Sequence, residues 1–148
     1  MPEQPQVAFS HQGICVSDRA RSLRFYSEAL GFTLARSIAI GRECEGITEL
    51  PGVNSAADFM TLGEMKIELL SYDSPPAIGP ATRRPMNQLG LTHLSFIVAS
   101  IAETGSRIEA CGGQVLAATR LTTPQGELIF CTDPDGVRIE LWEKTVSA

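Results

Sequence analysis

The chain has two histidines, His11 and His93, and each opens a stretch that reads as a β-strand, "HQGICV" and "HLSFIV". Two glutamates, Glu68 and Glu140, sit in a repeated tetrad, "KIEL" and "RIEL", where a carboxylate interrupts an apolar run. Neutral imidazole nitrogens and carboxylate oxygens form a ligand set for a divalent transition ion, with positions open to water or substrate if the ion is octahedral. A lone strand histidine is usually a satisfied core or surface residue, and a lone glutamate beside Ile and Leu usually points to solvent. Repetition separates these four residues from that ordinary role.

The repeat extends through the elements that must position them. "HQGICVSDRARSLRFYSEALGFTL" from His11 and "HLSFIVASIAETGSRIEACGGQVL" from His93 align without gaps, pairing Val16 with Val98, Ala20 with Ala102, Gly31 with Gly113 and Leu34 with Leu116. "MKIELL" (65–70) matches "VRIELW" (137–142), so the second half is shorter in its loops. Each half parses alike. Strands are expected at 9–16 and 91–98, from alternating apolar positions. A helix then follows in each half. The first is capped by Asp18 and runs to about Leu30, with Leu23, Tyr26 and Leu30 on one face; the second is opened by the Ser100–Glu103 capping box, with Ile101, Gly105, Ile108 and Cys111 on one face. Gly31 and the Gly112–Gly113 pair stop the helices. Three further strands are expected in each half, at 33–41, 57–63 and 65–72 and at 114–120, 127–132 and 137–143, with "DPDG" (133–136) as the last turn. The fold class is therefore α+β: two tandem βαβββ modules, 7–72 and 90–144, in one domain covering 1–148, forming a curved mixed sheet around a cavity. The segment 73–89 between them holds four prolines in "DSPPAIGPATRRPMNQ", which forbid a long helix or central strand.

Strand side chains alternate, so parity sorts the faces. Met65, Ile67 and Leu69 oppose Lys66, Glu68 and Leu70; Val137, Ile139 and Leu141 oppose Arg138, Glu140 and Trp142. Ile14 and Val16 oppose His11, Gly13 and Cys15, while Leu94, Phe96 and Val98 oppose His93, Ser95 and Ile97. One face of every strand is apolar enough for a helix to cover. The other face carries the His or Glu together with Trp142, Leu70, Ile97 and Cys15, a mixture that suits a lined cavity better than open solvent.

Bulk properties narrow the partners. With 148 residues, 43% hydrophobic, 20% charged and a net charge of −5, the chain is a soluble globular type without a basic stripe for nucleic acid. "MPEQPQVAFS" has neither a basic n-region nor an apolar h-region, and no window nears the length of a membrane span, so the expectation is a cytoplasmic protein with no membrane partner. Cys15, Cys44, Cys111 and Cys131 lack metal or redox spacing and are expected to be reduced, buried and inert.

Paired βαβββ modules, a His on the first strand and an acidic residue on the fourth strand of each, and the closing "DPDGVRIELWE" resemble the vicinal oxygen chelate superfamily over about Phe9 to Glu143. That group includes glyoxalase I, methylmalonyl-CoA epimerase, extradiol dioxygenases and the fosfomycin- and bleomycin-resistance proteins. The resemblance places the metal positions on His11, Glu68, His93 and Glu140, a complete set similar to bacterial-type glyoxalase I. Epimerases usually carry glutamine where Glu68 stands, and extradiol dioxygenases use only three protein ligands. Cys15 departs from the glyoxalase pattern, in which an arginine at that place anchors a glutathione carboxylate.

The resemblance implies a metal-dependent lyase or isomerase with one divalent transition metal ion (Ni, Co, Zn, Mn or Fe). Proton transfer next to a carbonyl through a metal-bound enediolate is expected, with Glu68 or Glu140 as the catalytic base. Alternatives are an acyl-CoA epimerase-like isomerase, an extradiol-type dioxygenase, and a metal-free protein that sequesters an aromatic ligand. Trp142, Leu70 and Ile97 are expected to wall the site against a small-molecule substrate, Arg83 and Arg84 are candidates for its anionic groups, and a homodimer is the expected assembly. Glu43, Glu45 and Glu49 are expected to be solvated loop charges.

Overall fold

Two local rules, alternation in strands and capping at helix starts, account for most of what the computed structural model contains over the described residues, 6–145; the chain ends at 1–5 and 146–148 lie outside them. The first module runs β1 (Gln12–Val16), α1 (Arg19–Arg24) continued by a π-helical turn (Phe25–Ala29), β2 (Thr33–Ile40), a 3-10 turn (Arg42–Cys44) leading into α2 (Glu45–Thr48), β3 (Asn54–Leu62) and β4 (Met65–Ser74). The second runs β5 (Leu94–Ile97), α3 (Ile101–Ala110), β6 (Gln114–Thr123), β7 (Gly126–Thr132) and β8 (Arg138–Lys144). Each module builds its own four-stranded mixed sheet, ordered β1-β4-β3-β2 and β5-β8-β7-β6, with the first strand parallel to the fourth. The class is α+β with two βαβββ modules, as the repeat requires, and both sheets are open. No helix among the described residues is long and apolar enough to cross a membrane.

The caps form where the sequence places them. The Asp18 carboxylate accepts the Arg21 N–H at 2.8 Å, and the Ser100 hydroxyl accepts the Glu103 N–H at 3.1 Å. Glu103 does not close a reciprocal box; the Glu143 carboxylate takes the Ile101 N–H instead, at 2.7 Å. The first helix departs more from expectation. Its π-helical turn rotates the buried face onto Ser22, Phe25, Tyr26 and Ala29, leaving Leu23 and Leu30 only partly buried. The loop after β2 is also more ordered than expected, since Glu43 and Glu45 lie in its short helical turns.

Parity holds on the apolar faces: Ile67, Leu69, Ile139 and Leu141 are buried, as are Ile14, Val16 and Phe96. They belong to one core shared by both modules, because α3 packs on β6, β7 and β8 of its own sheet and also on the π-helical turn of the first helix. An edge-to-face chain of rings, Tyr26–Phe32 and Phe32–Phe96, both at 5.9 Å, crosses from one module to the other. Burying Phe25 and Tyr26 completely contributes on the order of 2–3 kcal/mol each. The approach is close enough that a Cβ on Gly113 would lie 2.7 Å from the Phe25 ring and 2.4 Å from the Thr132 carbonyl oxygen.

Polar contacts reinforce the seam. Asp135 accepts from the Ser17 N–H and hydroxyl at 2.9 and 2.5 Å and from Arg21 at 2.8 Å. Buried Asp133 accepts the Tyr26 hydroxyl at 3.0 Å and the Asp135 and Val137 N–H groups at 2.9 and 2.8 Å. Burial pushes the Asp133 pKa up, with these hydrogen bonds pulling against it, and pushes the Tyr26 phenol well up. Within the first module, fully buried Asp58 is gripped by Arg19 at 2.7 and 2.8 Å and by Ser37 at 2.5 Å, and Arg19 holds its pKa down.

Candidate metal centre

His11 and His93 each stand one residue ahead of the assigned strand, β1 or β5, and the parallel pairing to the fourth strand brings a glutamate beside each. Gly13 is in register with Glu68, which sets His11 on the same face one pleat away, its Nε2 3.2 Å from Glu68 Oε2. Ser95 is in register with Glu140, and His93 Nε2 lies 3.9 Å from Glu140 Oε2. The other ring nitrogen of each histidine meets the hydroxyl of the preceding residue: Ser10 at 2.8 Å from His11 Nδ1 and Thr92 at 2.9 Å from His93 Nδ1. With Nδ1 protonated and donating to that hydroxyl, Nε2 keeps its lone pair for a ligand.

A phenylalanine walls each pair. Phe59, in register with Glu68, takes the His11 ring edge-on at 5.2 Å and carries the Arg36 guanidinium at 4.5 Å. Phe130, in register with Glu140, takes the His93 ring at 5.2 Å and carries Arg138 at 5.0 Å. The repeat is therefore deeper than the four candidate ligands: each module presents His, Glu, Phe and a stacked Arg. Phe59 and Phe130 were not singled out from the sequence, although each stands on the third strand of its module directly across from the glutamate.

The structure brings together His11 with Glu68 and His93 with Glu140, but not all four. Among the described residues, no three His, Cys, Asp or Glu side chains gather closely enough to hold one ion. Each pair is partly accessible, with the carboxylates 18% and 22% exposed and the imidazoles 33% and 26%, so each could be completed by ligands from outside the chain. Two imidazoles and two carboxylates fit a borderline divalent ion by donor type, and both histidines present the required nitrogen.

The expected wall residues differ in exposure. Trp142 and Leu70 are half-buried, Ile97 is 63% exposed, and Arg83 is exposed on the linker. The Trp142 indole N–H is shielded from solvent with no acceptor among the described residues, and Lys144 lies over its ring at 4.6 Å. A cavity of about 330 Å³ opens beside His93, between β1, the linker and the start of β8, lined by Cys15, Arg84, Asp135 and Arg138 among others. Burial, and after it the nearby Arg83, lower the Arg138 pKa. All four cysteines are free, but only Cys111 and Cys131 are buried; Cys15 is exposed, because parity puts it on the cavity side of an edge strand. Burial pushes the Cys131 thiol up to about 11, which makes it inert at neutral pH.

This chain belongs to the Glyoxalase/Bleomycin resistance protein/Dioxygenase superfamily, whose family model matches residues 8–141. Among curated proteins it is 32% identical over 136 residues to the uncharacterized protein YaeR of Escherichia coli strain K12, covering 90% of this chain and 94% of that one. Among solved structures it resembles a glyoxalase family protein from Bacillus cereus, with a TM-score of 0.86, 23% identity and 99% of both chains covered. It also resembles the trypanothione-dependent glyoxalase I of Leishmania major, with a TM-score of 0.62, 20% identity, and 90% and 84% of the two chains covered. At these identities the structural likenesses show the fold.

Proposed function

We propose that the protein is a divalent-metal-dependent, glyoxalase I-like lyase that moves a proton at a carbon next to a carbonyl, with His11, Glu68, His93 and Glu140 as its ligand set. The observation that carries this reading is the repeated pair: His11 with Glu68 and His93 with Glu140, each histidine engaged at Nδ1 by a hydroxyl and turning Nε2 towards its glutamate. A divalent ion there would supply positive charge against the negative charge developing on two neighbouring substrate oxygens.

The pairs lie apart within one chain, which supports a homodimer in which a pair from each copy completes the four-residue set. Glu68 or Glu140 takes the carbon-bound proton and returns it. Phe59 and Phe130 hold the imidazoles in place by edge contact. Trp142, Leu70 and Ile97 share the glutamate face and supply apolar contact to the small-molecule substrate. Four free cysteines support the cytoplasmic assignment.

The test is metal analysis on protein purified without chelator, followed by turnover assays on methylglyoxal thiol adducts and on 2-methyl-branched acyl-CoA esters. One equivalent of Ni, Co, Zn, Mn or Fe per chain with turnover of the thiol adducts is the expected result. Less than about a tenth of an equivalent means a metal-free binder instead. Turnover of the acyl esters alone moves the assignment to the epimerase-like reaction.

A further inference from the structure

The cavity beside His93 carries more positive charge than the protein around it can neutralise. Arg84 and Arg138 both line it, and Asp135 is the carboxylate on its wall. Both Asp135 oxygens are already taken, by Ser17 and Arg21. Arg84 donates one N–H to the Leu91 carbonyl and Arg138 donates one to the Arg84 carbonyl, each at 2.9 Å. Among the described residues, no carboxylate lies within ion-pair distance of either guanidinium, and each has five N–H donors to place. Arg138 is only 9% exposed, and an arginine does not escape burial by losing its proton. Arg84 is exposed, so the cost of an unpaired guanidinium falls on buried Arg138, and an anion shared with Arg84 would offset it.

The arrangement is built rather than incidental. The linker lies directly on the "DPDG" turn: a Cβ on Gly136 would fall 2.4 Å from the Thr82 carbonyl carbon and 2.7 Å from the Arg83 nitrogen. That contact, with the Arg138 to Arg84 hydrogen bond, fixes the linker against β8 and turns Arg84 to the cavity. Phe130 then ties the cavity to the candidate metal ligands, since its ring meets His93 at 5.2 Å and Arg138 at 5.0 Å.

We propose that this cavity is an oxyanion subsite in which Arg84 and Arg138 hold a carboxylate or phosphate group, so that the substrate is an anionic small molecule. Its placement next to the reacting carbon rests on the metal-site reading; the anion binding itself does not. A carboxylate or phosphate suits the fork of a guanidinium, and two forks from different elements discriminate against neutral analogues.

The test is calorimetric titration of chelator-treated protein at low ionic strength with inorganic phosphate and, separately, with succinate. Wild type is expected to bind at least one saturably; phosphate alone marks a phosphoester substrate, succinate alone a carboxylate. Arg84→Gln and Arg138→Gln should each weaken binding about tenfold, whereas Arg24→Gln, the same charge change on an exposed face outside the cavity, should not. Because Arg138 is buried and its loss can disturb folding, exposed Arg84 provides the independent variant. Absence of binding by both anions, or binding untouched by the Arg84 change, overturns the subsite. Binding that appears only after metal is restored also overturns it, by placing the anion on the ion, and leaves the metal-site reading standing. Anion binding by a protein that holds no metal keeps the subsite and sinks that reading instead.

Discussion

Ser95 lies in register with Glu140 and donates its hydroxyl to Oε1 at 2.7 Å, while the equivalent position opposite Glu68 is Gly13. The two modules repeat the His–Glu pair but not this support. Glu140 is tethered through one oxygen; among the described residues only His11 lies within ion-pair distance of Glu68. A ligand held by a hydrogen-bond partner keeps its orientation, and loss of such a partner typically costs 10–100-fold in metal affinity. Ser95→Ala is expected to weaken metal retention by about tenfold with little change in melting temperature, measured by competition with a chromophoric chelator. Gly13→Ser is the complementary test. Its Cβ would sit 3.8 Å from Glu68 Oε2, an ordinary contact, so the new hydroxyl should tighten metal binding.

The same asymmetry separates the carboxylates in the chemistry. In the proposed mechanism Glu68, which has no hydroxyl partner, would be the base, and Glu140, tethered by Ser95, the anchor. Glu68→Gln is expected to cut kcat by about a hundredfold or more while the chain keeps metal, as loss of a general base does. Glu140→Gln should cost both metal and turnover with the fold intact by circular dichroism. Unchanged turnover in the Glu140 variant would remove the proposed mechanism.

Arg19 and Asp58 test the first module's interior. Asp58 is fully buried and its pKa is held down, chiefly by the Arg19 hydrogen bonds. A depressed carboxylate contributes stability above its unfolded pKa, and that contribution is lost as pH falls through the lower folded value. Arg19→Met leaves the buried carboxylate with Ser37 alone and should cost about 2 kcal/mol at pH 7, discounted because Arg19 is itself 47% exposed. Below about pH 4 the gap to wild type should narrow, as Asp58 takes up a proton in the variant first. Urea unfolding at both pH values measures it.

What could be read from the sequence follows from what is periodic. The repeat and the alternation of "MKIELL" and "VRIELW" suffice to bury Ile67, Leu69, Ile139 and Leu141 and to turn Glu68 and Glu140 to the other face. Proximity along the other face is not periodic. Parity put Trp142, Leu70 and Ile97 beside the glutamates, but none of them lines the cavity, which opens along β1 and at the starts of β5 and β8, where the linker folds onto Gly136. Arg138 shared Glu140's face all along; its partner Arg84 arrives only through that fold. The π-helical turn at Phe25–Ala29 is a tertiary effect of the same kind, moving the buried face of the first helix to meet α3.

Tyr26 and Asp133 hold the modules together through a hydrogen bond that Tyr26→Phe removes while keeping the ring. Asp133 then loses one of the bonds opposing its desolvation, so its folded pKa should rise further. For a carboxylate whose folded pKa is raised, the protonated form is the one the fold favours. Its stability is full below the unfolded pKa and falls as pH rises through the folded value. The cost of Tyr26→Phe should therefore be largest at neutral pH, about 1–3 kcal/mol, and shrink towards pH 4, the same direction as for Arg19→Met. Thermal unfolding of both proteins between pH 4 and pH 8 reads the slope. A cost that stays flat with pH would mean that Asp133 is already neutral in the native seam, and one that grows on acidification would mean that the Tyr26 bond favours its protonated form.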